Sequence, residues 1–170
     1  MSYVILQLAV SLDGYIARKD GSVDFLDQME SAFTNEFDKF VNDVEIIVMG
    51  STTYEVMQKL GGIPFKEKKV YVLTSKEVTS TDKNVIFSNE NIESILRKES
   101  GIIWLFRGSK VIQSFMNKDL IDEFQIHIVP NIIGEGIPLF LESKELNNLT
   151  LHSSKQYGNS VHLVYRNIKR

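Results

Sequence analysis

The chain has 170 residues, 43% of them hydrophobic and 24% charged, the balance of an ordinary globular domain that buries a core without staples. A formal net charge of −3 argues against nucleic acid as a main partner, because a phosphate backbone demands a basic face. With no cysteine, disulfides, thiol nucleophiles and cysteine-bound zinc are excluded, and His127, His152 and His162 lack metal-ligand spacing.

The opening MSYVILQLAV has neither the charged start nor the cleavage site of a signal peptide. No apolar run approaches the ~18 residues that a membrane span needs. The expectation is a cytoplasmic protein with no membrane partner. YVILQLAV (3–10) predicts a strand buried on both faces. SLDGYIARKDGS (11–22) follows with two Asp-Gly turn signals. Asp13-Gly14, directly after a buried strand, is expected to face a ligand, whereas Asp20-Gly21, beside Arg18 and Lys19, is expected to be an ordinary exposed turn.

SAFTNEFDKFV (31–41) has helical spacing, with Phe33, Phe37, Phe40 and Val41 on one face. Glu30 falls near that stripe, Thr34 and Glu36 flank it, and Asp38 points away. EIIVMG (45–50) predicts a strand and TTYEVMQKL (52–60) a helix stopped by Gly61-Gly62. KVYVLTS (69–75), GIIWLFRG (101–108) and EFQIHIVP (123–130) predict further buried strands. NIESILRKES (91–100) and KVIQSFMNKDL (110–120) predict helices. LTLHSSKQYGNSVHLVYRNI (149–168) predicts a hairpin about Gly158-Asn159. Buried strands alternating with helices predict an α/β domain with a mainly parallel sheet and helices on both faces. The hairpin adds antiparallel strands at its edge.

In such sheets ligands bind beyond the carboxyl ends of the strands. There the chain places SLDGYIA, GSTTYE, TSKE, RGSK and PNIIGEG, all rich in hydroxyl or free backbone donors. Gly50-Ser51-Thr52-Thr53 and Gly108-Ser109-Lys110 open helices, and helix N-termini suit phosphate. Two of them on one edge suit a dinucleotide. The alternative for Ser51, Thr52 and Ser109 is plain N-capping. An acid bordering the phenylalanine stripe is a candidate to anchor a cationic or amide-bearing ring; the alternative is a solvated carboxylate. Asp13 is either a ligand group or a turn residue bonding its own backbone.

The order of these motifs resembles the dihydrofolate reductase superfamily. Within it, the chain is similar to short single-domain proteins like the C-terminal reductase domain of the bifunctional riboflavin biosynthesis deaminase/reductase. The resemblance runs over nearly all of residues 1–170 through SLDGYIA, VMGSTTYE, VLTS, LFRGSKVIQSFM and DEFQIHIVPNIIGEGIPLF. It implies a dihydrofolate-reductase-like, mostly parallel sheet of about eight strands, with NADPH lying across the strand ends. It implies hydride transfer to a small nitrogen heterocycle such as a ribosylated pyrimidine, as in 5-amino-6-(5-phosphoribosylamino)uracil reductase. Carried over, Ala9 and Ile16 border the nicotinamide, with Asp13 and Gly14 beside the substrate. Gly50, Ser51, Thr52 and Thr53 take the adenosine-side phosphates, and Thr74, Ser75 and Lys76 the adenosine end. Arg107, Gly108, Ser109, Lys110 and Val111 hold the pyrophosphate. Ile133, Gly134 and Gly136 shape the nicotinamide or substrate side. Asp13 and Glu36 are the candidate catalytic acids, and Thr34 stands near the position where dihydrofolate reductases carry their ring-binding carboxylate. A homodimer is implied as well.

Two positions depart from the family pattern. Arg107 replaces the first of two adjacent glycines, at a strain of about 1 kcal/mol if its φ is positive, and brings a cation near the phosphates. Ser51 replaces a basic residue, for which Lys76 is the nearest substitute. Dihydrofolate reductase proper, or a non-catalytic module that kept the fold, are the alternative functions.

Overall fold

The computed structural model describes residues 1–27, 29–78, 80 and 82–168. The predicted strands form as β1 (Ser2–Ser11), β3 (Ile46–Gly50), β4 (Lys69–Leu73), β6 (Gly101–Leu105) and β7 (Glu123–Val129). The hairpin forms as β9 (Leu149–Tyr157) and β10 (Ser160–Asn167). The helices are α1 (Ser31–Asp43), α2 (Ser51–Lys59), α3 (Ile92–Lys98) and α4 (Ser109–Met116). Three short strands escaped the sequence reading: β2 (Tyr15–Ala17), β5 (Val85–Ser88) and β8 (Ile137–Pro138). None is long enough to set up a period-2 pattern.

Among the described residues, eight strands form one sheet in the order β5-β4-β3-β6-β1-β7-β10-β9. Every pairing from β5 to β7 is parallel, and β10 joins β7, then β9, antiparallel. The near-continuous apolar runs of β1, β3 and β6 follow from helices covering both faces. Val4, Leu6, Leu8, Val48, Ile103 and Leu105 pack with Ile95 of α3 and with Ile112 and Phe115 of α4. The alternate residues Ile47, Met49 and Trp104 pack on the other face with Phe37 and Phe40 of α1 and Tyr54 and Met57 of α2. Those that are fully buried, such as Leu6, Ile47 and Trp104, contribute roughly 1.5–3 kcal/mol each.

Helix ends follow local chemistry. Gly61 and Gly62 both take positive φ after α2, and the Gly62 N–H donates to the Met57 carbonyl at 2.9 Å, the expected stop. The Asn91 side chain caps α3 by accepting from the Glu93 N–H at 3.0 Å. α4 ends at Met116 rather than Leu120. Asp119 takes a left-handed φ of 53°, and the Leu120 N–H turns back onto the Phe115 carbonyl at 3.0 Å. No helix among the described residues is long and apolar enough to cross a membrane.

Candidate functional site

The carboxyl ends of β3 and β6 each run straight into a helix. The N-caps are Gly50 and Gly108, and neither helix has a side-chain cap. This corrects the capping alternative for Ser51, Thr52 and Ser109: the first-turn N–H groups, which have no partner within a helix, are left to something other than a cap. The two N-termini pack against each other. A Cβ on Gly50 would lie 3.0 Å from Val111 Cγ2, and one on Gly108 would lie 3.4 Å from Thr53 Oγ1. Gly108 also has a φ of 98°, a backbone that side chains rarely adopt. The Ser109 hydroxyl is buried and donates to the Pro138 carbonyl, so only its main chain faces the helix end. Beside Gly50, β4 ends at Leu73. There Thr74 Oγ1 accepts from the Lys76 N–H at 3.1 Å, and Ser75 and Lys76 are exposed.

After β1, Asp13 ties two loops together. Its carboxylate accepts from the Ser11 hydroxyl at 2.7 Å, the Gly134 N–H at 2.8 Å and the Ile133 N–H at 3.2 Å. The Ser11 hydroxyl, then the two main-chain donors, hold its carboxyl below the usual range. It is a brace between the β1–β2 and β7–β8 connections. Gly136 serves the same junction, since a Cβ there would sit 2.3 Å from the Ala17 carbonyl oxygen across the β2–β8 pair. Gly14 has a φ of 90° and nothing within 4 Å of an added Cβ. Gly21 has a φ of 85° and the same open surroundings, so backbone strain alone does not separate the two Asp-Gly pairs. Ile16 is buried in the core packed against α3 and α4.

A cavity of about 150 Å3 opens between α1 and the ends of β1 and β6. Of the residues expected at a site it brings together Ala9 and Arg107, and it adds Gln7, Phe33, Phe37, Trp104 and Phe106. Arg107 takes a φ of 48°, the strained conformation that a glycine would suit. Its guanidinium lies 5.7 Å from the Phe106 ring centroid and has no hydrogen-bond or carboxylate partner among the described residues. Burial pulls its pKa down from the usual value. A larger cavity of about 280 Å3 lies at the opposite, amino end of the sheet, between Ser2, Glu93 and Asp119. It is far from the strand ends where ligands of such sheets bind, so the smaller cavity is the candidate.

The acids expected beside the ring are elsewhere. The Glu36 carboxylate is engaged by the Lys155 ammonium and the Tyr157 hydroxyl, which hold its carboxyl below the usual range. Glu30 lies against Gly158 in the β9–β10 turn. Thr34 is exposed and donates to the Glu30 carbonyl at 3.3 Å. The reason is the hairpin: β10 pairs with β7, and the β9–β10 end of the sheet reaches back to this face of α1. Gln7 left a signal that went unused, as the one polar residue inside the apolar run of β1.

Comparison with known proteins matches the RibD C-terminal domain to residues 2–163 of the chain. The chain is 39% identical over 166 residues to the uncharacterized protein YwjB of Bacillus subtilis (strain 168), covering 95% of both. A crystal structure from Shewanella sp. PV-4, of a protein provisionally ascribed to riboflavin biosynthesis, superposes with a TM-score of 0.84 at 25% identity, over 98% of this chain and 99% of that one. Dihydrofolate reductase from Enterococcus faecalis, complexed with NADP(H) and RAB-propyl, superposes with a TM-score of 0.67 at 19% identity, over 98% and 97% of the two chains. That last likeness is one of fold.

Proposed function

The chain belongs to the RibD C-terminal domain family, and from that premise we propose that it is an NADPH-dependent reductase of a small nitrogen heterocycle, similar to 5-amino-6-(5-phosphoribosylamino)uracil reductase. The observation that carries the reading is the reciprocal packing of two glycine-headed, uncapped helix N-termini beside an aromatic cavity. That donor set fits a dinucleotide: free N–H groups and two positive dipole ends converge where phosphates would sit. The main chain of Gly50–Thr53 and of Gly108–Val111 would hold the phosphates, with Thr74, Ser75 and Lys76 toward the adenosine. When bound, the cofactor supplies the hydride.

The protein's own part is positioning. Ala9, on β1 between its parallel partners β6 and β7, floors the cavity without filling it. Phe33, Phe37, Trp104 and Phe106 wall it and keep water away from a flat ring. Asp13 fixes Ile133 and Gly134 over the strand ends. Among the described residues no carboxylate lines the cavity, which favours this reading over dihydrofolate reductase proper. The reading includes a homodimer. What supports it is β9, an edge strand exposed along nearly its whole length, with Leu151 52% exposed.

A thermal shift assay tests the cofactor. NADPH at ~100 times its Kd stabilises a protein by roughly 2.7 kcal/mol, a rise in Tm of about 5–10 °C for a chain of this size. A Tm moved by neither millimolar NADPH nor millimolar NADH overturns the reading.

A further inference from the structure

We propose that α1 is a proton-operated lid on the cavity: charging the buried His127–His162 pair drives the helix, with the cavity wall it carries, off the sheet. The device acts whatever the cavity binds, and so goes beyond the reductase reading.

One side chain joins the pair to the cavity. Phe33 is the buried residue of α1, and it lines the cavity. The same ring stacks on His127 with centroids 3.5 Å apart and lies 5.3 Å from His162 and 5.5 Å from Tyr157. His127 is fully enclosed, held on β7 between Ala9 of β1 and His162 of β10. Neither nitrogen of His127, nor Nδ1 of His162, has a hydrogen-bond partner among the described residues. Phe33 therefore seals imidazole from water on one side and walls the cavity on the other.

A neutral imidazole has one donor and one acceptor, whereas a charged one has two donors. The face of Phe33 gives that charge a π contact. The N–H edges meet no acceptor, however, and burial disfavours the ion. The charged groups around the pair are already committed. On α1, Glu36 is engaged by Lys155 and Tyr157 of β9, and Glu30 lies against Gly158. On β7, Glu123 accepts from Arg166 of β10 at 3.0 Å, from Tyr3 of β1 at 3.2 Å and from Gln125 at 2.8 Å. β1 sets Ala9 and Gln7 opposite His127 and Gln125, and neither titrates. Burial lowers the His162 pKa; Glu36 and Glu123 offset this only in part, and Lys155 adds to the fall.

What yields depends on how each element is held. β7 lies within two hydrogen-bonded ladders. α1 is held by ring contacts such as Phe37 and Phe40 on Trp104, and by the Glu36–Lys155 pair, which is largely solvated and worth little. Lifting α1 is thus the least costly way for water to reach the imidazoles, and it takes Phe33 and Phe37 out of the cavity wall. The proton is a ligand of the open form, so opening grows as pH falls below about 6.5.

Hydrogen exchange of the backbone amides, corrected for the intrinsic rate at each pH, tests this with no ligand present. Its failure is therefore separate from a failure of the NADPH shift. The enclosed His127 charges only near pH 4 and an open one near 6.5. Protection of the α1 amides should then fall roughly thirtyfold between about pH 7.5 and about pH 5. At both values these amides should stay less protected than those of β1 and β6. Combining His127→Phe with His162→Phe should flatten the pH dependence; His127→Leu with His162→Leu serves if the larger rings strain the core. Three results overturn the proposal. One is α1 protection that does not change with pH. Another is α1 protection equal to that of β1 and β6, which would mean that the helix leaves only when the whole chain unfolds. The third is a pH dependence that survives in the double variant. If neither double variant folds, the comparison of α1 with β1 and β6 in the native protein decides alone.

Discussion

His127 is 0% exposed on β7, stacked on Phe33 with ring centroids 3.5 Å apart. Both ring nitrogens lack a hydrogen-bond partner among the described residues. His162 lies 5.9 Å away and Tyr157 6.0 Å, with Glu36 and Lys155 beyond the tyrosine. Burial first, then His162, depresses the His127 pKa from the ordinary 6.5 to about 4. The folded value lies below the unfolded one, so between about pH 4 and 6.5 the unfolded chain binds more protons. Stability is therefore full above about pH 6.5 and is lost as pH falls toward 4. At 1.36 kcal/mol per pH unit the interval amounts to roughly 3 kcal/mol. Replacing the imidazole with a ring that needs no partners, His127→Phe, should change stability little at neutral pH, because both the desolvated nitrogens and their charging go together. Urea unfolding at about pH 7.5 and about pH 4.5 measures the effect: the native protein should lose about 2.5 kcal/mol more than the variant. His127→Leu serves the same comparison if the larger ring strains the core. Carboxylates held low in both proteins, such as Glu36 and Glu123, also lose stabilisation in acid, but they cancel between native and variant. Parallel pH profiles for native and variant would refute the assignment.

Glu36→Gln should leave the NADPH shift intact and cost at most about 1 kcal/mol, since the Glu36–Lys155 pair is largely solvated; a large loss of cofactor affinity would return Glu36 to the site. Light scattering should give twice the 19.4 kDa chain mass for the native protein, and Leu151→Glu, which charges the open β9 edge, should shift it toward monomer. A native monomer at high concentration removes the dimer.

The alternation of buried strands and helices was legible because both patterns are local. The apolar runs of β1, β3, β4, β6 and β7 and the helical stripes of α1 to α4 each read off a handful of neighbouring residues. The convergence of Gly50 and Gly108 also followed, since a parallel sheet puts the carboxyl ends of its strands on one edge. What did not follow was the inner wall of the cavity. Gln7, Trp104 and Phe106 looked like ordinary strand interior, and Phe33 and Phe37 like ordinary helix face. They become a pocket only because α1 lies across β1 and β6 there.

The sequence by itself determined the class of fold, its order of elements, the glycine-headed helix starts and the family resemblance, because these depend on residues close together in the chain. Tertiary structure alone decided which polar groups are taken and which are free. Asp13 and Glu36 were equivalent as carboxylates near a site, yet one braces a loop 120 residues away and the other is engaged by the hairpin 119 residues away. The Gln7 and Arg107 side chains, unremarked as a pair, line one cavity without hydrogen-bond partners among the described residues. A hydrogen bond forms between groups that packing brings within about 3 Å, and over such separations that distance is set by the sheet and the helices laid on it.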